Sequence, residues 1–162
     1  MQTFLPHATN RDSLDALDNK RLNKQILECY QILNILTEQS QGTGWRNHPA
    51  VLMWKGSEEE LFRYAFTAVE LAKMRGINVE KNRANLTRIA RNAPIHTLGD
   101  DLPIWLNNPT ILKLVNTTHK ANLYRKDPIY YAEYAYAVYD KYNKPCCDSC
   151  QYYWPTHKER NV

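Results

Sequence analysis

The run LDNKRLNKQILECYQIL, Leu17 to Leu33, decides the fold. Leu22, Ile26, Cys29, Leu33 and, just beyond, Leu36 recur at three- and four-residue steps, which gathers them on one side of an α-helix. Arg21, Lys24, Gln25 and Glu28 repeat the same spacing on another side, a basic stripe that holds a single carboxylate. A Lys24–Glu28 ion pair would have its base N-terminal to its acid, the weaker orientation, and pairs of this kind contribute only about 0.2–0.5 kcal/mol. Stability alone therefore explains Glu28 poorly. An acid set among cations suits work on a phosphate backbone.

Outward from this run, the same period predicts helices and little else. The first should begin near Leu14 or Asp18 and reach Thr37, followed by the loop QSQGTGWRNHP, whose Pro49 can open the next helix. Val51, Leu52 and Trp54 form a short apolar turn that Gly56 breaks. Ser57 with Glu60 reads as a capping box ahead of Leu61, Tyr64, Ala65, Ala68 and Leu71, and Gly76 closes that helix. A third helix is predicted over Ala84 to Arg91. Pro103 and Pro109 each stand where a helix can start, the second capped by Asn108 and continuing towards Lys126. Asp127 and Pro128 repeat the start signal for a tyrosine-rich helix over residues 128–141. No segment alternates long enough to make a strand, and no internal repeat is present. The expectation is an all-α fold, one compact helical domain over residues 1–162.

Composition narrows the function. A chain of 162 residues with 43% hydrophobic content can bury a real core. No apolar stretch approaches the roughly 20 residues a bilayer span needs, and MQTFLPHATN lacks the basic and apolar regions of a secretion signal, so a cytoplasmic location is expected. The net charge is only +4, but it is segregated. Residues 81–98 carry Lys81, Arg83, Arg88 and Arg91 with no acid, whereas Glu58, Glu59 and Glu60 stand together elsewhere. Lys113, Lys120, Arg125 and Lys126 form another basic stretch. Such faces can replace counterions along DNA; they can equally be solvated helix surfaces.

Cys146, Cys147 and Cys150, with His157 close behind, allow three states: a zinc site, a labile disulfide, or the reduced thiols usual in a cytosolic chain. Cys29 falls on the apolar helix face, away from them in sequence. No metal is assigned.

Several blocks in order resemble the pyrimidine-dimer DNA glycosylase family. They are Arg21-Leu22 with Glu28, Trp45-Arg46-Asn47-His48-Pro49, Lys73 to Asn78, His119 to Leu123 with Arg125 to Pro128, and the aromatic tail Tyr152-Tyr153-Trp154-Pro155. The resemblance implies a DNA repair glycosylase that also acts as an abasic-site lyase, with no metal or cofactor. Its nucleophile would be the amine of the chain's own first residue, here Met1, and its acid Glu28. An α-amine ionises near pH 7.7–8.0 in general, so part of it is a free nucleophile near neutrality. Two departures stand out. Phage members carry a small second residue, exposed when the initiator methionine is lost, whereas Gln2 is bulky and favours retention of Met1; Arg21 stands where they have an imidazole.

Within this reading Arg21, Lys24, Arg46, Lys120, Arg125 and Lys126 are candidate phosphate contacts, and His48 and His119 are candidates to orient a phosphate or a proton, or else structural hydrogen-bonding residues. Trp45, Tyr152, Tyr153 and Trp154 are candidates to stack on exposed bases. The expected partner is double-stranded DNA, bound by a monomer of nucleoid or viral-host cytoplasm, with no membrane and no obligate protein partner. Two other readings fit the same residues: a DNA-binding protein that has lost its chemistry, and a glycosylase for a different modified base.

Overall fold

The computed structural model describes residues 1–42, 44–138 and 152–156, and among them there is no β-strand. The all-α expectation holds. The helices are α1 (Asn10–Asp15), α2 (Asn19–Leu36), α3 (Pro49–Leu52), α4 (Glu58–Met74), α5 (Glu80–Asn92), α6 (Ile104–Asn107) and α7 (Pro109–Lys126), with short 3-10 turns at Ile95–Thr97, between α5 and α6, and at Ala132–Ala137, after α7.

The centre is the crossing of α2 with α4, the most extensive helix contact. From α2 come Leu22, Ile26, Cys29, Ile32 and Leu33, all fully buried, as the period requires; Leu36 is only partly covered. From α4 come Leu61, Tyr64, Ala65, Ala68 and Ala72, whose alanines recur at three- and four-residue steps and let the backbones approach. Trp54 and Trp105 complete the core edge to face, with ring centres 4.9 Å apart.

The boundaries follow local chemistry. Of the two predicted starts for the first long helix, Asp18 is right: its carboxylate accepts the Arg21 N–H at 3.0 Å, while Leu14 belongs to the separate α1, capped by Thr9. Gly76, with φ +74°, ends α4 in a Schellman motif, its N–H on the Lys73 carbonyl and the Ile77 N–H on the Ala72 carbonyl. Asn108 caps α7 as expected, accepting from Thr110 and Ile111.

Three expectations are corrected. The Ser57–Glu60 capping box does not form: Ser57 makes no side-chain cap, and Glu60 is taken by Asn10 and Arg63. Glu58 instead reaches back, accepting the Gly56 and Gly99 N–H groups, each at 2.9 Å. Helix α5 begins at Glu80, not Ala84, because its first turn is polar throughout and apolar spacing cannot reveal it. The tyrosine-rich segment forms a 3-10 turn, and Tyr131 at its N-cap stacks on Tyr134 three residues on, with ring centres 5.8 Å apart. Residues 139–141 of that predicted helix, like Cys146, Cys147, Cys150 and His157, lie outside the described residues.

Candidate active site at the N-terminal amine

Residues 1–6 are not helical, yet Thr3, Phe4, Leu5 and Pro6 are buried. A buried extended segment must find partners for its backbone polar groups. Here side chains from three helices supply them. Gln25 of α2 accepts the Phe4 N–H at 2.8 Å and donates to the Gln2 carbonyl at 3.1 Å. Tyr64 of α4 donates to the Phe4 carbonyl at 2.8 Å. His119 of α7 accepts the Leu5 N–H at 2.8 Å through Nδ1. Trp54 then donates its indole N–H to the Thr3 hydroxyl at 2.9 Å.

The consequence is the position of the first residue. The Met1 amine lies 3.5 Å from Glu28 Oε2, and the same oxygen accepts the Gln2 N–H at 3.1 Å. Lys24 approaches the other oxygen, Oε1, at 3.7 Å. Glu28, only 7% exposed, therefore has one oxygen on the chain's first residues and one on a cation. Because Met1 and Gln2 nitrogens share Oε2, an amine meets this carboxylate whichever of the two residues begins the chain.

Two cavities flank this pair. One, of about 280 Å³, is lined by Lys20, Arg21, Lys24 and Lys126 together with Glu28 and Tyr152. The other, of about 270 Å³, is lined by Met1, Tyr30, Gln31, Asn34, Ile35, Ser40 and Trp45.

The candidate residues divide accordingly. Met1, Glu28, Arg21, Lys24 and Lys126 come together, and Trp45, 55% exposed, joins them from the second cavity. Arg21 is engaged from behind: it pairs with Asp18, lies 3.9 Å from Asp127 and sits over the Tyr131 ring. Burial alone would push the Asp18 carboxyl up, but hydrogen bonds from Tyr131 and Arg21 outweigh it and hold it below the usual carboxylate range. Arg46 is exposed in the turn beside Trp45. His48 caps α3 by accepting the Ala50 N–H, with its ring against Trp45 and Trp154. Burial and the nearby N-terminal amine lower its pKa, with Glu28 opposing, so the imidazole is neutral beside the site.

Lys120 and Arg125 do not line either cavity; Lys120 turns to the Tyr136 hydroxyl at 3.0 Å and lies over the Tyr134 and Tyr136 rings. His119 lines neither cavity and takes the structural role that was its other reading. It is completely buried, and burial pushes its pKa down to about 3, so it serves as a neutral acceptor for the Leu5 N–H. The aromatic tail packs rather than projects: Tyr152 meets Phe4, His119 and Trp154 edge to face or tilted, and the Tyr153 N–H is held by the Thr118 hydroxyl.

Sequence reasoning passed over Lys20, and it left Gln25 without a role. Lys20 stands one helical turn before Lys24, a signal the spacing did contain. The task of Gln25 depends on a segment distant in sequence and was invisible.

A first amine pinned against a buried carboxylate, beside a cavity rich in cations, is an arrangement that can present a nucleophile to a polyanion. The family model for pyrimidine dimer DNA glycosylase matches residues 1–85, and the chain belongs to that family. The match spans Met1, Glu28, the cations of α2, Trp45 and His48, and it implies DNA as the partner. A search of the curated proteins and of the solved structures finds no match.

Proposed function

We propose that this pyrimidine dimer DNA glycosylase is bifunctional, excising the damaged base and then cutting the strand through an imine on the amine of Met1. The supporting observation is the 3.5 Å approach of that amine to Glu28 Oε2, held by four side-chain clamps on residues 1–6. The amine loses a proton, for which Glu28 is the adjacent acceptor, and its lone pair attacks C1′ of the damaged nucleotide. The glycosidic C–N bond breaks, its electrons leave with the base, and the base takes up a proton. The C1′–O4′ bond then breaks, O4′ taking up a proton as the sugar ring opens, and the C1′–N link becomes an iminium, whose positive charge the Glu28 carboxylate stabilises. Loss of a C2′ proton then expels the 3′ phosphate by β-elimination, and water releases the enzyme from the sugar.

The two cavities divide the substrate. Lys20, Arg21, Lys24 and Lys126 favour the phosphates that flank the lesion. The second cavity has aromatic walls, Tyr30 and Trp45, and amide groups from Gln31 and Asn34, which suit an extruded base. A lesion that weakens stacking lowers the cost of that extrusion.

Borohydride trapping tests the reading on duplex DNA carrying one pyrimidine dimer, with abasic and undamaged duplexes alongside and mass spectrometry of the linked residue. An adduct at the Met1 amine on dimer DNA is expected. An adduct on abasic DNA alone would retain the lyase and move the substrate to another base. Binding without any adduct would establish the inactive DNA-binding alternative.

A further inference from the structure

Helix α5 carries a basic face that the catalytic centre does not use. Lys81, Arg83, Arg88 and Arg91 stand on it, and within the helix the sole acid is Glu80. Glu80 is already engaged, 3.2 Å from Lys73 and 3.4 Å from Arg83. The side of α5 opposite its buried Leu86 and Ile89 forms an open trough of about 480 Å³, in which Glu80, Arg83, Arg88, Arg91 and Asn92 surround the short side chains of Ala84 and Thr87. A solvated salt-bridged face would interleave acids with its bases along its length; here Glu80 answers Arg83 in the first turn, and residues 81–92 add no acid opposite Arg88 and Arg91.

Its place relative to the centre is set by two contacts. Arg88 donates to the Tyr30 hydroxyl at 3.1 Å, and Tyr30 lines the same cavity as Met1. Gln39, just past the end of α2, donates to the Ile89 carbonyl at 3.0 Å, so α5 lies along the C-terminal half of α2. The cations of the first cavity, Lys20 to Lys24, belong to its N-terminal half. Glu28 stands between the two groups. A guanidinium has five N–H donors, so the single bond from Arg88 to Tyr30 leaves most of its donors for a partner.

We propose that Arg88 and Arg91 form a second phosphate-binding strip, which holds the DNA backbone beyond the lesion on the side of the centre opposite to Lys20, Arg21 and Lys24. The strip rests on the DNA reading above and lengthens the footprint from one cavity to a track along the whole of α2. Its contacts are to phosphate, so they add affinity without reading sequence.

The test is fluorescence anisotropy of the full chain on an undamaged duplex, titrated with sodium chloride, for wild type, Arg88→Gln, Arg91→Gln and the double variant. Each lost phosphate contact should reduce the slope of log K against log salt by about 0.9, and the pair together by about 1.8. Arg63→Gln on α4, whose guanidinium lies between Glu59 and Glu60, is the control for net charge and should keep the wild-type slope. Thermal melts establish that each variant is folded. Double and wild-type proteins with equal slopes would overturn the strip, as would an equal fall in Arg63→Gln. Wild type that fails to bind DNA at any salt concentration would overturn the DNA reading itself.

Discussion

The two cavities beside Met1 are nearly equal in volume, about 280 and 270 Å³, and opposite in character. The first has four cationic side chains and one carboxylate; the second, apart from the amine of Met1, has none that is charged. Both are walled by α2, whose residues from Lys20 to Glu28 face one and from Tyr30 to Ile35 the other. A single helix thus separates a site fit for phosphates from a site fit for an uncharged planar group. Met1 of the second cavity meets Glu28 of the first, so the chain's first amine lies between them.

The severest break of this arrangement is at the junction. Acetylating the Met1 amine, verified by mass spectrometry, should abolish both trapping and strand cleavage, because an amide nitrogen is no nucleophile. Glu28→Gln should follow, with turnover on dimer DNA reduced by about 10²- to 10⁴-fold and DNA affinity kept, as measured by single-turnover kinetics beside anisotropy. Equal rates for mutant and wild type would remove Glu28 from the mechanism. The cavities themselves should then separate. Trp45→Ala should cost about 1–3 kcal/mol in kcat/KM on damaged DNA, with an unchanged salt slope. Lys20→Gln should reduce the salt slope of binding by about 0.9, with the single-turnover rate at saturating DNA unaltered.

A separate effect concerns the scaffold. His119 is neutral when folded, its pKa held near 3 by burial, against about 6.5 when unfolded. Between these values the unfolded chain binds the extra proton, so stability rises with pH across that window and is fully present above about pH 6.5. Chemical denaturation should show stability falling as pH drops from 6.5, by at most about 1.4 kcal/mol per pH unit from this group. His119→Asn, which retains an acceptor for the Leu5 N–H, should flatten that dependence.

Chain periodicity revealed much of this, and its failures have a common cause. Leu22, Ile26, Cys29 and Leu33 are buried as their spacing requires, and Asp18 and Asn108 cap the helices they precede. These are short-range effects, fixed by helical geometry and by hydrogen bonds within a turn. Ser57 and Glu60 have the spacing of a capping box, but Asn10 and Arg63 compete for Glu60. His119 and Lys120 are neighbours on α7; one is sealed in the core and the other lies over tyrosines, a distinction that depends on what α7 packs against.

The sequence by itself determined the helical class, the face of α2 that is buried, and the stripe that sets Glu28 among cations. All three follow from a period of 3.6 residues and need no knowledge of distant segments. Only the tertiary structure decided that residues 1–6 are threaded between α2, α4 and α7, that Gln25, Tyr64 and His119 satisfy their backbone, and that the first amine therefore rests on Glu28. An extended segment has no internal hydrogen bonds to announce its path. Its position is fixed by partners 21 to 114 residues away, and these converge only after the helices have packed.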